Sequence, residues 1–321
     1  MKRPAVIGID LGGTNCRGAL VCDNGEVFFQ EEFATDIDAG LPRFWARFIS
    51  FCRKLMEQGA AQGFSIHGLG LGFPGLVSKE GDILKAPNLA PFNGMPLCGR
   101  LRTEIGVPVR VVNDVNAVAL GECYHGAGRD FSDFLMVTLG TGVGGSLIIG
   151  RKIWNGIDGA AGEVGHIAVK PGGHLCGCGS RGCLEQYASG PALVRICRQF
   201  WFRCKTEGGA EGLPQTAKEV ADAALRGQPA ALKAYEVAGK YLGQVFAGIA
   251  NLLNLEGVVV GGGVSANYKL FMPSLRAELD CRAFSVSAER MKVVPAALGN
   301  RAGILGAAQL AREMLDRTGA L

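Results

Sequence analysis

Asp10-Leu11-Gly12-Gly13-Thr14 closes an apolar run near the start of the chain, and its parts suit phosphate. Two adjacent glycines let the backbone turn sharply, the bare N–H groups of such a turn cradle phosphate oxygens, and Thr14 adds a hydroxyl donor. The Asp10 carboxylate is suited to hold Mg²⁺ through water. An ordinary β-hairpin with a capping Asp accounts for the same residues. A second turn, Gly140-Thr141-Gly142-Val143-Gly144-Gly145, also follows an apolar run, and Gly261-Gly262-Gly263 follows three valines. The first two, one per lobe and facing one cleft, suit a nucleoside triphosphate, and the third suits an adenosine. Gly261-x-Gly263-x-x-Ala266 matches a dinucleotide fingerprint only loosely, and no Gly-x-x-x-x-Gly-Lys-[Ser/Thr] stretch occurs.

Asn113-Asp114-Val115-Asn116-Ala117 lies at an expected strand-to-helix junction. Asp114 could take the proton of a phosphoryl-acceptor hydroxyl, with Asn113 bonding a neighbouring hydroxyl. Helix N-capping by Asp114 is the competing explanation. Glu163-Val164-Gly165-His166 precedes Cys176-Gly177-Cys178-Gly179-Ser180-Arg181-Gly182-Cys183-Leu184-Glu185. His166, Cys176, Cys178 and Cys183 form a Cys₃His set of structural-zinc composition, and four protein ligands leave no open catalytic position. Two-residue spacing is poor geometry for a Cys176–Cys178 disulfide. Reduced or disulfide-bonded loop cysteines are the alternative.

The elements that must carry these groups read as strands at 5–10, 16–21 and 26–33, with a hairpin turn at Asp23-Asn24-Gly25. A helix follows over about 42–58, where Phe44, Phe48, Phe51, Cys52 and Leu55 share one face. Further strands are expected at 67–73 and 107–113, with a short helix between them, and a helix at 115–124. Strand, glycine turn, strand and hairpin then recur at 134–154, which predicts a duplicated domain. Helices are expected at 190–204, from Thr216 (with Glu219 as a capping box), at 230–254 and at 302–317. Strands are expected at 256–260 and 291–296. The class is α/β, with two similar lobes around a cleft. A small lobe would span 1–113, completed by the C-terminal helix at about 302–321, and a large lobe 114–301.

Composition narrows the function. The chain has 321 residues, 48% hydrophobic and 19% charged, which fits two globular cores and excludes extended disorder. Net charge is +4 without a basic block, so a nucleic-acid footprint is not expected. No long apolar run predicts a membrane span, and the short run after Met1 is read as a buried strand, giving a cytoplasmic expectation. Cys16, Cys22, Cys52, Cys98, Cys123, Cys197, Cys204 and Cys281 stand singly and read as reduced core thiols.

These motifs, above all the His plus Cys-x-Cys-Gly-x-x-Gly-Cys-x-Glu loop, resemble the ROK family of repressors and sugar kinases, and its bacterial glucokinase-type members most. The resemblance runs from Ile7 to Gly306-Ala307-Ala308. It implies an actin-like, ribonuclease H-like ATPase fold and an ATP-dependent hexose kinase using Mg²⁺ and structural Zn²⁺. Asp114 would be the catalytic base toward the sugar 6-hydroxyl. Gly75, Asn88, Asn113, Glu163, His166 and Glu185 would contact the sugar. Gly12, Gly13 and Thr14, with Gly140, Thr141 and Gly142, would bind phosphates, and Gly261, Gly262 and Gly263 would lie near adenosine. Homodimers or homotetramers are expected by the same analogy. Asn15 stands where relatives often carry Lys, Phe92 where many carry Trp at the pocket rim, and Arg301 where an acid is common. Glucose is the expected substrate. N-acetylhexosamine, fructose or allose kinases of the same family, and a non-catalytic sensor or repressor, are the alternatives. With the core starting at residue 5, no helix-turn-helix module is expected before it.

Overall fold

A computed structural model describes residues 2–202 and 212–318. In chain order it contains β1 (Arg3–Leu11), β2 (Asn15–Cys22), β3 (Val27–Ala34), α1 (Leu41–Ala61), β4 (Phe64–Phe73), β5 (Leu76–Val77) and β6 (Ile83–Lys85). Then come α2 (Leu97–Ile105), β7 (Val109–Asn113), α3 (Asp114–His125), β8 (Phe134–Leu139), β9 (Val143–Ile149), β10 (Lys152–Ile153), α4 (Glu185–Ala188) and α5 (Gly190–Trp201). The rest is α6 (Ala217–Leu225), α7 (Pro229–Leu253), β11 (Gly257–Gly261), α8 (Met272–Arg282), α9 (Ser285–Arg290), β12 (Lys292–Pro295) and α10 (Ala302–Thr318). The Cys204 expected at the end of α5 lies outside the described residues, as do the last three positions of the C-terminal helix.

Two sheets share one plan. The first runs β3-β2-β1-β4-β7 and the second β10-β9-β8-β11-β12. In the first, β1 is antiparallel to β2 and parallel to β4; in the second, β8 is parallel to β11 and β11 to β12. The strand–turn–strand repeat read from the sequence is therefore repeated strand for strand.

The chain divides into two compact units, residues 1–132 with 146–161 and 297–321, and residues 133–145 with 162–296. In the first, β1 is central and buried on both faces, which is why it reads as an almost continuous apolar run. Ile7, Ile9 and Leu11 join the core of α1, with Phe44, Phe48 and Leu55. On the other face, Val6 packs with Ile304, Ala308 and Leu315 of α10. Helix α3, read from the sequence as the start of the large lobe, packs here against α10. A Cβ at Gly306 would stand 1.6 Å from the Ala117 carbonyl oxygen, so glycine is what lets the two helix backbones touch.

Several details differ from the sequence reading. Val143, Gly144 and Gly145 belong to β9, so the second glycine turn is only Gly140 to Gly142. Phe92 is buried, edge-on to Phe44 at 5.5 Å and to Phe73 at 5.2 Å; it is a core residue and not a pocket rim. Cys281 is exposed, whereas Cys16, Cys52, Cys123 and Cys197 are buried free thiols. Helices α8 and α9 were not foreseen, because α8 buries only Leu275 and Leu279 and shows little apolar periodicity. No described helix is long and apolar enough to cross a membrane.

Candidate active site and metal centre

Strand β7 and helix α3 meet at Asn113-Asp114 in the first unit. The N-cap of α3 is Asn113 and not Asp114, which corrects the capping alternative. The Asn113 carboxamide oxygen accepts from the N–H groups of Val115 at 2.9 Å and Asn116 at 3.2 Å. Its Nδ2 donates to the Gly75 carbonyl at 3.0 Å and to Asp114 Oδ1 at 2.9 Å. All four bonding positions of this amide are thus occupied within the protein, and they tie Gly75 to the Asp114 carboxyl. The Val115 N–H also reaches Asp114 Oδ1 at 2.9 Å.

Burial, and then the charge of Asp10, push the Asp114 carboxyl from 3.8 up to about 7. Hydrogen bonds from Val115 and Asn113 act the other way without cancelling it. Asp10 itself is raised by burial and drawn back by Arg17. The adjoining turn is closed by Gly12 N–H to Asn15 carbonyl at 2.8 Å, and Thr35 Oγ1 holds the Gly12 carbonyl at 2.7 Å. Gly13 and Thr14 at its tip are exposed, free to face a ligand. Asn88 is exposed in the loop after β6.

The second unit holds a cavity of about 1120 Å³. Gly140, Thr141 and Gly263 line it, as do Gly190 and Pro191 at the start of α5, Thr216 at the start of α6, Tyr235 of α7 and Asn267. Gly261 is buried at the end of β11 and does not line the cavity. Arg195, Arg198 and Lys218 supply positive charge, and Val194, Phe202 and Val264 apolar surface. The sequence reading missed the α5 and α6 contributions. The available signals were the helix-start pattern Ser189-Gly190-Pro191 and the Thr216 cap, whose hydroxyl accepts from the Glu219 N–H at 3.2 Å. Glu219 reaches back to the N–H of Gln215, one residue before the cap.

His166, Cys176, Cys178 and Cys183 converge, with one ligand atom from each lying within 4.8 Å of the others. Cys176 N–H bonds the Ser180 carbonyl at 2.8 Å, and Gly179 N–H the Cys176 carbonyl at 3.0 Å, curling the loop tightly. Cys178 Sγ is 3.7 Å from Cys183 Sγ, and Cys176 Sγ is 3.6 Å from His166 Nδ1. A tetrahedral ion with metal–sulfur bonds of about 2.3 Å and metal–nitrogen bonds of about 2.0 Å needs edges of about 3.8 and about 3.6 Å. Those two separations match a tetrahedral metal ion, and all four ligand atoms lie within 4.8 Å of one another. His166 would use Nδ1, leaving Nε2 turned to Glu163, whose carboxylate is 3.9 Å away.

A family model described as the ROK family matches residues 6–314. The chain is 35% identical over 323 residues to the glucokinase of Streptomyces coelicolor, covering 96% of this chain and 97% of that protein. It is 30% identical over 306 residues to the xylose repressor of Caldicellulosiruptor bescii, covering 94% of this chain and 76% of that one. Among solved structures it resembles the ROK family glucokinase of Streptomyces griseus in complex with glucose and AMPPNP, with a TM-score of 0.76, 34% identity, and coverage of 96% and 99%.

Proposed function

The chain belongs to the ROK family and has its actin-like α/β fold, and from that premise we propose that it is an ATP-dependent kinase that phosphorylates the 6-hydroxyl of glucose. The observation that carries the chemistry is Asp114. A general base works best with a pKa near the operating pH, and burial beside Asp10 holds this carboxyl at about 7. Asp114 takes the proton of the sugar 6-hydroxyl as that oxygen bonds to the γ-phosphorus. The bond from phosphorus to the bridging oxygen breaks, and ADP leaves. Asn113 holds the base in position. Glu163, His166 and Glu185 bind sugar hydroxyls, and Gly75 and Asn88 shape the sugar side.

The cavity of the second unit takes the nucleoside, with apolar contact from Val194 and Val264. The turns at Gly12 to Thr14 and Gly140 to Gly142 donate N–H groups to phosphate oxygens. Asp10 would hold Mg²⁺, and that fits a carboxylate whose charge already raises Asp114. The ion would supply charge neutralisation on the phosphates. Zinc is the ion we assign to the Cys₃His set, in a structural role.

The test is ADP release with Mg-ATP over glucose, mannose, fructose, allose, N-acetylglucosamine and N-acetylmannosamine. Fastest turnover with glucose is expected. Preferred turnover of another hexose would reassign the substrate, and none from zinc-loaded protein would overturn the kinase reading.

A further inference from the structure

We propose that the metal loop braces the phosphate-binding turn through Glu185, so that metal occupancy sets nucleotide affinity. This rests on the reading above, in which the turn at Gly140 to Gly142 binds phosphate. Cys183 and Glu185 are separated by one residue, so the last metal ligand fixes the start of α4. From there the Glu185 carboxylate reaches the turn, where Oε2 accepts the Val143 N–H at 3.1 Å as the chain enters β9. A Cβ at Gly142 would stand 2.6 Å from Oε2, so the turn has no space for a side chain beneath this carboxylate. The same segment makes a second tie at its far end, where the Gly190 N–H donates to the Gly140 carbonyl at 2.8 Å.

The turn is thereby pinned at both ends, at Gly140 and Val143, by the six residues from Glu185 to Gly190 that follow the last metal ligand. A phosphate site made of backbone N–H groups is only as good as their fixed directions. Loss of the metal frees Cys176 and Cys183, loosens the start of α4 and leaves the turn to be ordered by the nucleotide. The cost of that ordering appears as weaker binding. Glu185 is a positioning residue in this respect, whatever it also offers a sugar, because each carboxylate oxygen accepts more than one hydrogen bond.

The experiment measures Mg-ADP affinity by calorimetry and bound zinc by atomic absorption, on the full chain with metal loaded and stripped. Stripping wild type is expected to weaken ADP binding about tenfold, within the usual span of couplings between sites. Loaded Glu185→Ala is expected to retain zinc, to bind ADP as weakly as stripped wild type, and to lose less than about twofold more on stripping. Equal ADP affinity in loaded and stripped wild type overturns the coupling alone and leaves the kinase reading standing. Absence of ADP binding to loaded wild type overturns both. Should stripping unfold the chain, loaded Gly142→Ala decides: weakened ADP binding with full zinc content supports the brace, and unchanged affinity overturns it.

Discussion

Asn113 Nδ2 lies 2.9 Å from Asp114 Oδ1 and 3.0 Å from the Gly75 carbonyl, so one amide both caps α3 and aims the carboxyl at its start. Protonated Asp114 cannot accept a hydroxyl proton, and its pKa is about 7. In the free enzyme, kcat/KM should therefore rise about tenfold per pH unit below that value and level off above it. Asp114→Asn should lower kcat by a factor of about 10² to 10⁴ and abolish this limb, with ADP binding retained. Near-normal turnover in that variant would remove Asp114 as the base.

The same shift bears on stability. The folded chain binds the Asp114 proton more tightly than the unfolded chain, whose carboxyl keeps its ordinary value near 3.8. Its contribution is thus fully favourable below that value, declines as pH rises toward about 7, and remains unfavourable above. At about 1.4 kcal/mol per pH unit, the full swing is on the order of a few kcal/mol. Asp114→Asn should gain stability relative to wild type between pH 5 and pH 8, measured by urea unfolding. A difference that did not change with pH would contradict the burial argument.

The elements that carry the site were largely legible, because their signals are local. Asp10 closes an apolar run that must be a central strand, and the turn after Asp114 begins a helix. The Cys₃His set was legible from composition and spacing alone, and its atoms converge to 4.8 Å. What escaped depends on distant pairing. Gly190 and Thr216 reach the cavity of the second unit only through the packing of α5 and α6, and no periodicity encodes that. The division of Asn113's hydrogen bonds was equally hidden, because the Gly75 carbonyl is 38 residues away in sequence.

Removing one metal ligand separates the ion's contribution from packing. Cys178 is exposed whereas Cys176 and Cys183 are buried, so Cys178→Ala deletes little packed surface. Wild type should hold about one zinc per chain, as four ligands to one ion require. The variant should hold well below that and melt several degrees lower, at about 2–4 °C per kcal/mol lost. Wild type purified without chelator and found free of zinc would contradict the assignment, as would a variant that melts like wild type.

Glu122 went unnoticed in the sequence, yet it is fully buried on α3 with both carboxylate oxygens in use. Oε2 accepts the Ala127 N–H at 2.8 Å and Oε1 the Leu298 N–H at 2.9 Å, while the Ala297 N–H lies 3.0 and 3.1 Å from the two oxygens. One side chain thereby joins the end of α3 to the approach to α10, the same two helices that meet through Gly306 and Ala117. Gln has the same shape but only one acceptor oxygen, and its NH₂ would face a backbone donor. Hydrogen bonds to a charged group are worth about 1.5–3 kcal/mol each, so Glu122→Gln should destabilise the chain by about 2–4 kcal/mol. Chemical unfolding measures the loss, and unchanged zinc content would localise it to this unit. A change below about 0.5 kcal/mol, the usual range of surface substitutions, would mean that these backbone donors find other partners.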